Sequence, residues 1–484
     1  MSASLWTVDA LAAAMRAERA GALPQAVGGL SIDSRSIAPG EAFFAIKGDI
    51  HDGHDFVAGA LANGAGLAVV ARAKRGEVPK NAALLVVPDV LAGLRDLAAA
   101  ARTRSSAKVI AVTGSVGKTS TKEALRLALA RDGEVHASVA SFNNHWGVPL
   151  SLARLPQAAS YGVFEIGMNH AGEITPLVRL VRPHIAIITT VAPVHLEFFP
   201  SVEAIADAKA EIFLGLEPGG VAVINRDNAQ FARLEQRARE ASIARIVTFG
   251  EHAKAEARLL RFALQPEGST VEADILGEHV AYKVGAPGKH LVLNSLAVLA
   301  AAKLAGAELA LAALALADQA PAVGRGTRIA LGVPGGDAVL IDESYNANPL
   351  SMRAAFELLG QTPVGAKGRR IAVLGDMLEL GPRGRELHRE LAAALSEQGI
   401  DLVYCAGPLM EALWQALPAE RRGGYAKDAA ALEAEVVDAV RGGDAIMIKG
   451  SFGSRMGPIV KTLVRRYPMP AAPDLVSTGI PARG

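Results

Sequence analysis

Residues 108–121, KVIAVTGSVGKTST, hold the residue types of a phosphate cradle in the order such a cradle needs. An apolar run rich in β-branched residues (Val109, Ile110, Ala111, Val112) stops at Thr113-Gly114. A short loop, Ser115-Val116-Gly117, follows, and Lys118, Thr119 and Ser120 open a segment with apolar residues at helical spacing. Gly114 and Gly117 let backbone N–H groups turn inward on an anion, and Lys118 brings a positive charge for the outer phosphates. The Thr119 hydroxyl is placed to hold Mg2+. The general pattern asks for a glycine five residues before Gly117, where this chain has Val112, so the loop is the shorter TGxxGKTS. With a strand before it and a helix after it, the stretch implies use of a nucleoside triphosphate.

Ligands of open α/β sheets sit beyond the carboxyl ends of the strands, so residues just past other apolar runs are the next candidates. GVFEI carries Glu165 close to its end, and the run at 184–191 leads into AlaProValHisLeuGlu, which places His195 in the next turn. A carboxylate, an imidazole and a Thr hydroxyl around a triphosphate suit Mg2+. Alone, Glu165 reads equally as a strand-end hydrogen-bond acceptor and His195 as a turn histidine; the edge they share with the phosphate loop favours function. Lys209, in AIADAKAEIF, reads from composition as a solvated helix lysine. Asn143 and Asn144, in SFNNHWGVP, read as a polar turn. IDESYNANP is densely polar for a strand exit and suits a small polar ligand or a loop closing on the nucleotide. Lys449 and Arg455, in KGSFGSRMG, could bind a carboxylate or be solvated surface charges.

The elements that must position these groups divide the 484 residues into three sections. Residues 1–88 hold short strands (EAFFAIKG, GLAVVAR, ALLVVPD) among glycine-rich turns, a small α/β domain. Residues 89–325 form a central domain, entered through a connecting helix at 89–105. Its strand candidates, 108–113, 162–166, 184–191, 221–225 and 245–249, alternate with helical stretches, which indicates a parallel sheet covered on both faces. Residues 326–484 repeat the alternation through AVLID, RIAVLGD, DLVYCAG and DAIMIKG, a second, Rossmann-like α/β domain with a loose Pro-rich tail at 468–484. Half the residues are hydrophobic and the formal net charge is +1, which argues against nucleic acid or an anionic membrane as a partner. Cys405 is the sole cysteine and lies in an apolar run, so no internal disulfide forms and a reducing cytoplasm is expected. The N-terminal 21 residues read as an amphipathic helix rather than a signal peptide, and the apolar runs near 291–305 and 307–317 as packed helices too short to span a bilayer.

Taken together, TGSVGKTS, SFNNHWGVP, EIGMNHAGEI, VAPVHLE, DAKAEIF, GKHLVLNSLAVLAA and IDESYNANP, in this order, resemble the Mur ligases of peptidoglycan synthesis. The resemblance covers nearly the whole chain. Within the family, the SYNANP, AEIF and GEI motifs are similar to those of the ligases that add D-alanyl-D-alanine to UDP-N-acetylmuramoyl-tripeptide. It implies a UDP-substrate domain, a central ATP domain and a C-terminal domain that presents the dipeptide. It also implies Lys118 on the β/γ-phosphates within a loop made of Gly114, Ser115, Gly117, Thr119 and Ser120. Thr119 and Glu165 would bind one Mg2+, and His195 a second together with a carbamylated Lys209. Asn294 and Arg325 match adenosine contacts, Glu343 a ribose-side position, and Ser34 and Arg35 the uridine site. Asn143 and Asn144 match the loop facing the muramoyl peptide, and Asn346 and Asn348 are candidates for the dipeptide site. A cytoplasmic monomer is expected.

Two places depart from the family pattern. KGSFGSRMG stands where many relatives have KGSR and a following Met-Glu, which leaves Lys449 and Arg455 as alternatives; Pro193 replaces a small residue. A nucleotide switch without ligase activity would carry an Asn-Lys-x-Asp motif, and a folylpolyglutamate-type ligase an Ala-His-type motif; the chain shows neither.

Overall fold

The five apolar runs of the central section all become neighbouring parallel strands. In the computed structural model they belong to one nine-stranded sheet. From one edge its parallel part runs Val135–Ala137, Tyr161–Glu165, Lys108–Thr113, Ile185–Ile188, Val221–Asn225 and Arg245–Gly250. The structure describes residues 4–48, 50–139, 141–194, 196–265, 267–321 and 323–469, so the tail from 470 lies outside it.

Alternate residues of a strand point to opposite faces, and both faces are covered here. Val109 and Ala111 pack in a core with Leu94, Val148 and Leu177, whereas Ile110 and Val112 pack on the other face with Leu125, Val292 and Leu296. Lys108–Thr113 is flanked by Tyr161–Glu165 and Ile185–Ile188, and the chain fills first one side of it and then the other. The crevice beyond its carboxyl end is therefore the topological switch point, and the glycine loop lies there.

The sheet continues beyond those five runs. Ala257–Gln265 adds briefly in parallel, then Gly268–Ile275 and Glu278–Val284 return antiparallel. Val271, Ala273 and Ile275 are buried in alternation, a period of two. The last turn is a two-residue hairpin, with φ of 53° at Leu276 and 83° at Gly277.

The described residues up to Ala320 form one compact unit and those from Pro321 another. Within the first, a five-stranded sheet orders Glu18–Ala20, Leu84–Val87, Leu67–Ala71, Ala42–Phe44 and Leu30–Ser31. The expected long N-terminal helix is only Val8–Met15, ended by Arg16 in the left-handed region and flanked by the strands Trp6–Thr7 and Glu18–Ala20. The connecting helix is Val90–Arg104, and its role is larger than connection. Leu94, Leu97, Ala98 and Ala101 share one core with Trp6, Leu11 and Met15 on one side and Val148 and Leu177 on the other. Polar contacts join the same parts. Trp6 Nε1 donates to the Ala153 carbonyl (2.9 Å), Arg154 Nε donates to the Leu30 carbonyl (2.7 Å), and the Arg104 guanidinium lies 3.2 Å from the Trp6 ring centre.

The second unit carries a six-stranded sheet. Thr327–Val333 pairs antiparallel with Gly336–Glu343, and Ala445–Lys449, Arg370–Gly375, Leu402–Ala406 and Arg422–Ala426 follow in parallel. Glu343 is in register with Lys449, so both side chains stand at the carboxyl edge. Cys405 is fully buried in this sheet, as its apolar surroundings predict. Among the described residues no helix is long and apolar enough to cross a membrane.

Candidate active site

The glycine loop is shaped by contacts that leave no space for side chains. Gly114 has φ of 152°, and a Cβ there would collide with the Thr189 hydroxyl, which donates to the Val116 carbonyl (2.6 Å). Gly117 has φ of 89°, and a Cβ would stand 2.5 Å from Asn294 Nδ2. Asn294, nearly two hundred residues away in sequence, thus closes on the loop from helix Lys289–Ala305. Ser115 ties the loop to the next crossover: its N–H donates to the Thr190 carbonyl (2.8 Å) and its hydroxyl to the Ala192 carbonyl (3.1 Å). Lys118 Nζ donates to the Gly114 carbonyl (2.9 Å), so the amine lies across the loop. The Ser120 hydroxyl donates to the Gly117 carbonyl (3.1 Å). Helix Lys118–Leu129 begins directly at the loop, with its N-terminal dipole and backbone donors facing the crevice.

Next to the loop lies an oxygen-rich pair. The Thr119 hydroxyl donates to Glu165 Oε2 at 2.9 Å, and Asn143 Nδ2 donates to Glu165 Oε1 at 2.7 Å. Glu165 is 1% exposed. Asn144 accepts from the Gly147 N–H (2.8 Å), which shapes the turn into helix Gly147–Ala153. Both asparagines therefore have local work, and Asn143 joins the loop to the carboxylate.

Lys209 differs from its compositional reading. It is 2% exposed on helix Val202–Ala210, not a solvated lysine. Burial, and then the charge of Lys118, push its pKa well below the ordinary lysine range. The amine is thereby held toward its neutral form, the form that can add CO2. Two residues on, Glu211 turns outward and accepts from the Gly172 N–H (2.6 Å), the Thr175 N–H (2.9 Å) and the Thr175 hydroxyl (2.9 Å). It fixes the start of helix Ile174–Val181 and the loop after Glu165. On that loop the His170 ring lies 4.7 Å from the exposed Phe198. His195 lies outside the described residues.

These groups fit a hard divalent cation. A hydroxyl and a carboxylate stand beside the glycine loop, and Mg2+ characteristically takes few protein ligands and completes its shell with water and phosphate oxygens. Among the described residues no group of three or more His, Cys, Asp or Glu side chains converges. A cation here would rely on Thr119, Glu165 and the nucleotide's own oxygens.

Ser34 and Arg35 lie in the N-terminal section. The Ser34 carbonyl accepts from Asn63 (3.1 Å), and Arg35 forks onto Asp33 at 2.9 and 2.7 Å. The hydrogen bond from Arg35 leads the effects that hold the Asp33 carboxyl below its usual range.

In the second unit, Lys449 is 2% exposed and donates to Glu343 Oε2 (2.9 Å) and to the Asn346 carbonyl (3.0 Å). It is a buried structural ion pair rather than a surface charge. Arg455 is exposed in the left-handed region. The Arg325 guanidinium lies 4.4 Å from the Tyr345 ring centre. Asn346 Oδ1 accepts from the Ala347 N–H (2.8 Å). Asn348 caps helix Pro349–Gln361 in a reciprocal arrangement with Ser351, at 2.9 and 3.0 Å.

Comparison with known proteins matches three consecutive family models. They are the Mur ligase family, catalytic domain, over residues 26–102, the Mur ligase middle domain over 112–302, and the Mur ligase, glutamate ligase domain over 327–452. The UDP-N-acetylmuramoyl-tripeptide–D-alanyl-D-alanine ligase of Rickettsia prowazekii is 33% identical over 89% of this chain and 94% of its own length. This chain belongs to the Mur ligase family. The Escherichia coli ligase of the same name is likewise 33% identical to this Mur ligase, over 90% of this chain and 93% of its own. A crystal structure of MurF from Acinetobacter baumannii superposes with a TM-score of 0.81 at 30% identity, covering 96% of this Mur ligase and all of that chain. MurF from Thermotoga maritima in complex with ADP gives 0.72 at 25% identity, over 90% and 97% of the two chains. The architecture of this Mur ligase is thus that of the MurF structures.

The motifs singled out in the sequence meet around the glycine loop in the first unit for Gly114, Ser115, Gly117, Lys118, Thr119, Ser120, Glu165, Asn143 and Asn294. Thr189, Lys122 and Glu211 escaped sequence reasoning as working parts. Glu211 stands inside the AEIF motif, and nothing in the sequence around Lys122 separates it from a solvated helix lysine.

Proposed function

We propose that this Mur ligase forms the amide bond between UDP-N-acetylmuramoyl-tripeptide and D-alanyl-D-alanine, with cleavage of ATP to ADP and phosphate. The observation that carries this reading is the Thr119–Glu165–Asn143 chain beside a glycine loop, in a protein one-third identical to ligases of that name.

A carboxylate is a poor electrophile and needs activation. A terminal carboxylate oxygen of the tripeptide attacks the γ-phosphorus, and the bond to ADP breaks. Lys118 and the N-terminal N–H groups of its helix stabilise charge on the transferring group. The uncharged amine of the dipeptide then attacks the acyl carbon of the acyl phosphate. Phosphate leaves from the tetrahedral intermediate, and the proton on nitrogen passes to solvent. Mg2+, held by Thr119 and Glu165 and on the second site by His195 and a carbamylated Lys209, would offset the charge of the triphosphate. The buried, neutral-favouring amine of Lys209 supports the carbamate, because CO2 adds to a neutral amine and leaves an anionic oxygen donor.

Asn294 and Arg325 contact adenosine in this reading, with Glu343 on the ribose side. Ser34 and Arg35 take the uridine end, Asn143 and Asn144 the muramoyl peptide, and Asn346 the dipeptide. Asn348 contributes there through its amide nitrogen, since its oxygen caps a helix. The reaction belongs to the cytoplasm, carried out by a monomer. The test is product mass from purified protein with ATP, UDP-N-acetylmuramoyl-tripeptide and D-alanyl-D-alanine. The expected product is the pentapeptide nucleotide, with ADP release dependent on both co-substrates. ADP release indifferent to the dipeptide, or amide formation with single amino acids instead, would overturn the reading.

A further inference from the structure

Among the described residues of the first unit, Lys122 is the most completely buried charged side chain that the proposed chemistry leaves unused. It sits on helix Lys118–Leu129 with 0% exposure. Its amine donates to the Ser138 carbonyl at 2.7 Å and pairs with Glu123 Oε1 at 2.8 Å. Glu123 is held in turn by Arg126 Nε at 2.8 Å. Placing an ammonium in a dry interior costs several kcal/mol before its partners offset it. The ammonium is held between a carboxylate of its own helix, Glu123, and the Ser138 carbonyl of another segment, so the charge is paired locally and the hydrogen bond to Ser138 reaches outside the helix.

The position of Ser138 suggests a function. Ser138 is buried and follows strand Val135–Ala137, and its N–H donates to the Val163 carbonyl (3.0 Å). The chain then leaves the sheet into the segment that carries Asn143 and Asn144. Asn143 donates to Glu165, and its carbonyl accepts from the Gly167 N–H (2.8 Å). Glu165 accepts from Thr119, three residues before Lys122 and on the same side of the same helix. One helical turn therefore holds two points five residues apart in the chain: Thr119 reaches Asn143 through Glu165, and Lys122 reaches Ser138.

We propose that Lys122 is a positioning residue that anchors Ser138 to the helix after the glycine loop, and so helps set Asn143, five residues on, against Glu165. Asn143 and the carboxylate are thereby registered to the helix that bears Lys118 and Thr119. The proposal rests on the ligase reading only for its kinetic arm.

The test compares Lys122→Met and Lys122→Gln with Asn143→Ala and with the double variant Lys122→Met/Asn143→Ala. Three quantities are read: amide hydrogen exchange, Mn2+ affinity in the presence of ADP by electron paramagnetic resonance, and steady-state kinetics. Lys122→Met is expected to speed exchange across 139–147 by about 10-fold or more while helix 118–129 keeps its protection. Mn2+ binding should weaken roughly 10-fold, the usual scale for a residue behind a metal ligand. KM for the tripeptide nucleotide should rise while KM for ATP stays within about twofold. The double variant should bind Mn2+ no worse than the weaker of its two single variants. Unchanged exchange at 139–147, or Mn2+ losses that add in the double variant, would overturn the proposal. If Lys122→Met does not fold, the same readings on Lys122→Gln decide it, because its amide nitrogen stands one bond short of the lysine Nζ and loses the 2.7 Å contact to the Ser138 carbonyl. Exchange and Mn2+ binding need no turnover, so absent ligation in the wild type would count against the ligase reading alone.

Discussion

At Lys118 the amine bridges back to the Gly114 carbonyl, 2.9 Å away, and Lys209 is close enough for the two charges to repel. A triphosphate in the loop would draw the Lys118 amine to itself. Lys118→Ala is therefore expected to lower kcat by roughly 10^3 with the fold intact, measured as ADP release beside a thermal melt. Lys209 makes a separate prediction about stability. Its folded pKa lies below its unfolded one, so between the two values the unfolded chain binds more protons. Stability from this residue therefore falls as pH drops from the ordinary lysine range. Lys209→Met should abolish turnover, and in bicarbonate-free buffer it should raise the unfolding free energy at neutral pH. The gain should shrink by about 1.4 kcal/mol per unit as pH rises toward that range. Denaturant melts across pH check this, and equal free energies for the two proteins at every pH would refute it.

Among the elements, helix Ile174–Val181 and the loop before it depend on a side chain from another helix. Glu211 accepts three hydrogen bonds there, from Gly172 and Thr175. The AEIF motif thus has two duties: Lys209 is buried inward and Glu211 caps a neighbour. Glu211→Ala should cost about 1–2 kcal/mol in urea unfolding, the usual scale for a lost cap. Exchange should quicken at 169–176 first. A loss confined to kcat with unchanged stability would contradict the capping role. Helix Val90–Arg104 teaches a related lesson, since a segment that reads as a connector provides apolar faces to one core shared by two sheets.

For the molecule as a whole, two compact units have separate sheets. Calorimetry should resolve more than one transition. The ADP–Mg2+ complex at about 100 times its Kd should stabilise the transition of the unit that holds the glycine loop by about 2.7 kcal/mol. The buried pair Lys449–Glu343 marks the other unit. Removing one partner of such a pair leaves an uncompensated charge, so Lys449→Met should destabilise the transition of residues 321–469 by about 3–5 kcal/mol. The transition of residues 4–320 should keep its midpoint in the same scan. A shared fall of both transitions would show that the units unfold as one.

What the sequence determined on its own was local or strongly periodic. Strand, glycine loop and helix are neighbours in the chain, so their types and spacing disclose this unit before any fold is known. Asn348-Pro349 is equally legible, since asparagine before a proline at the first helical position is a capping signal read from two residues. The antiparallel strands Ala257–Gln265, Gly268–Ile275 and Glu278–Val284 are less legible, because their period of two is diluted by alanines and charged residues on the exposed face. Tertiary structure alone decided which charges are dry. Lys122, Lys209 and Lys449 have the composition of solvated lysines, yet each is 2% exposed or less. Burial is a property of what other segments bring against a side chain, and those segments lie up to about a hundred residues away in the chain. The same holds for Asn294 against Gly117 and for Asn143 against Glu165. Residue type limits what chemistry is available; only packing sets the solvent exclusion and the distances that make a carboxylate a ligand or an amine neutral.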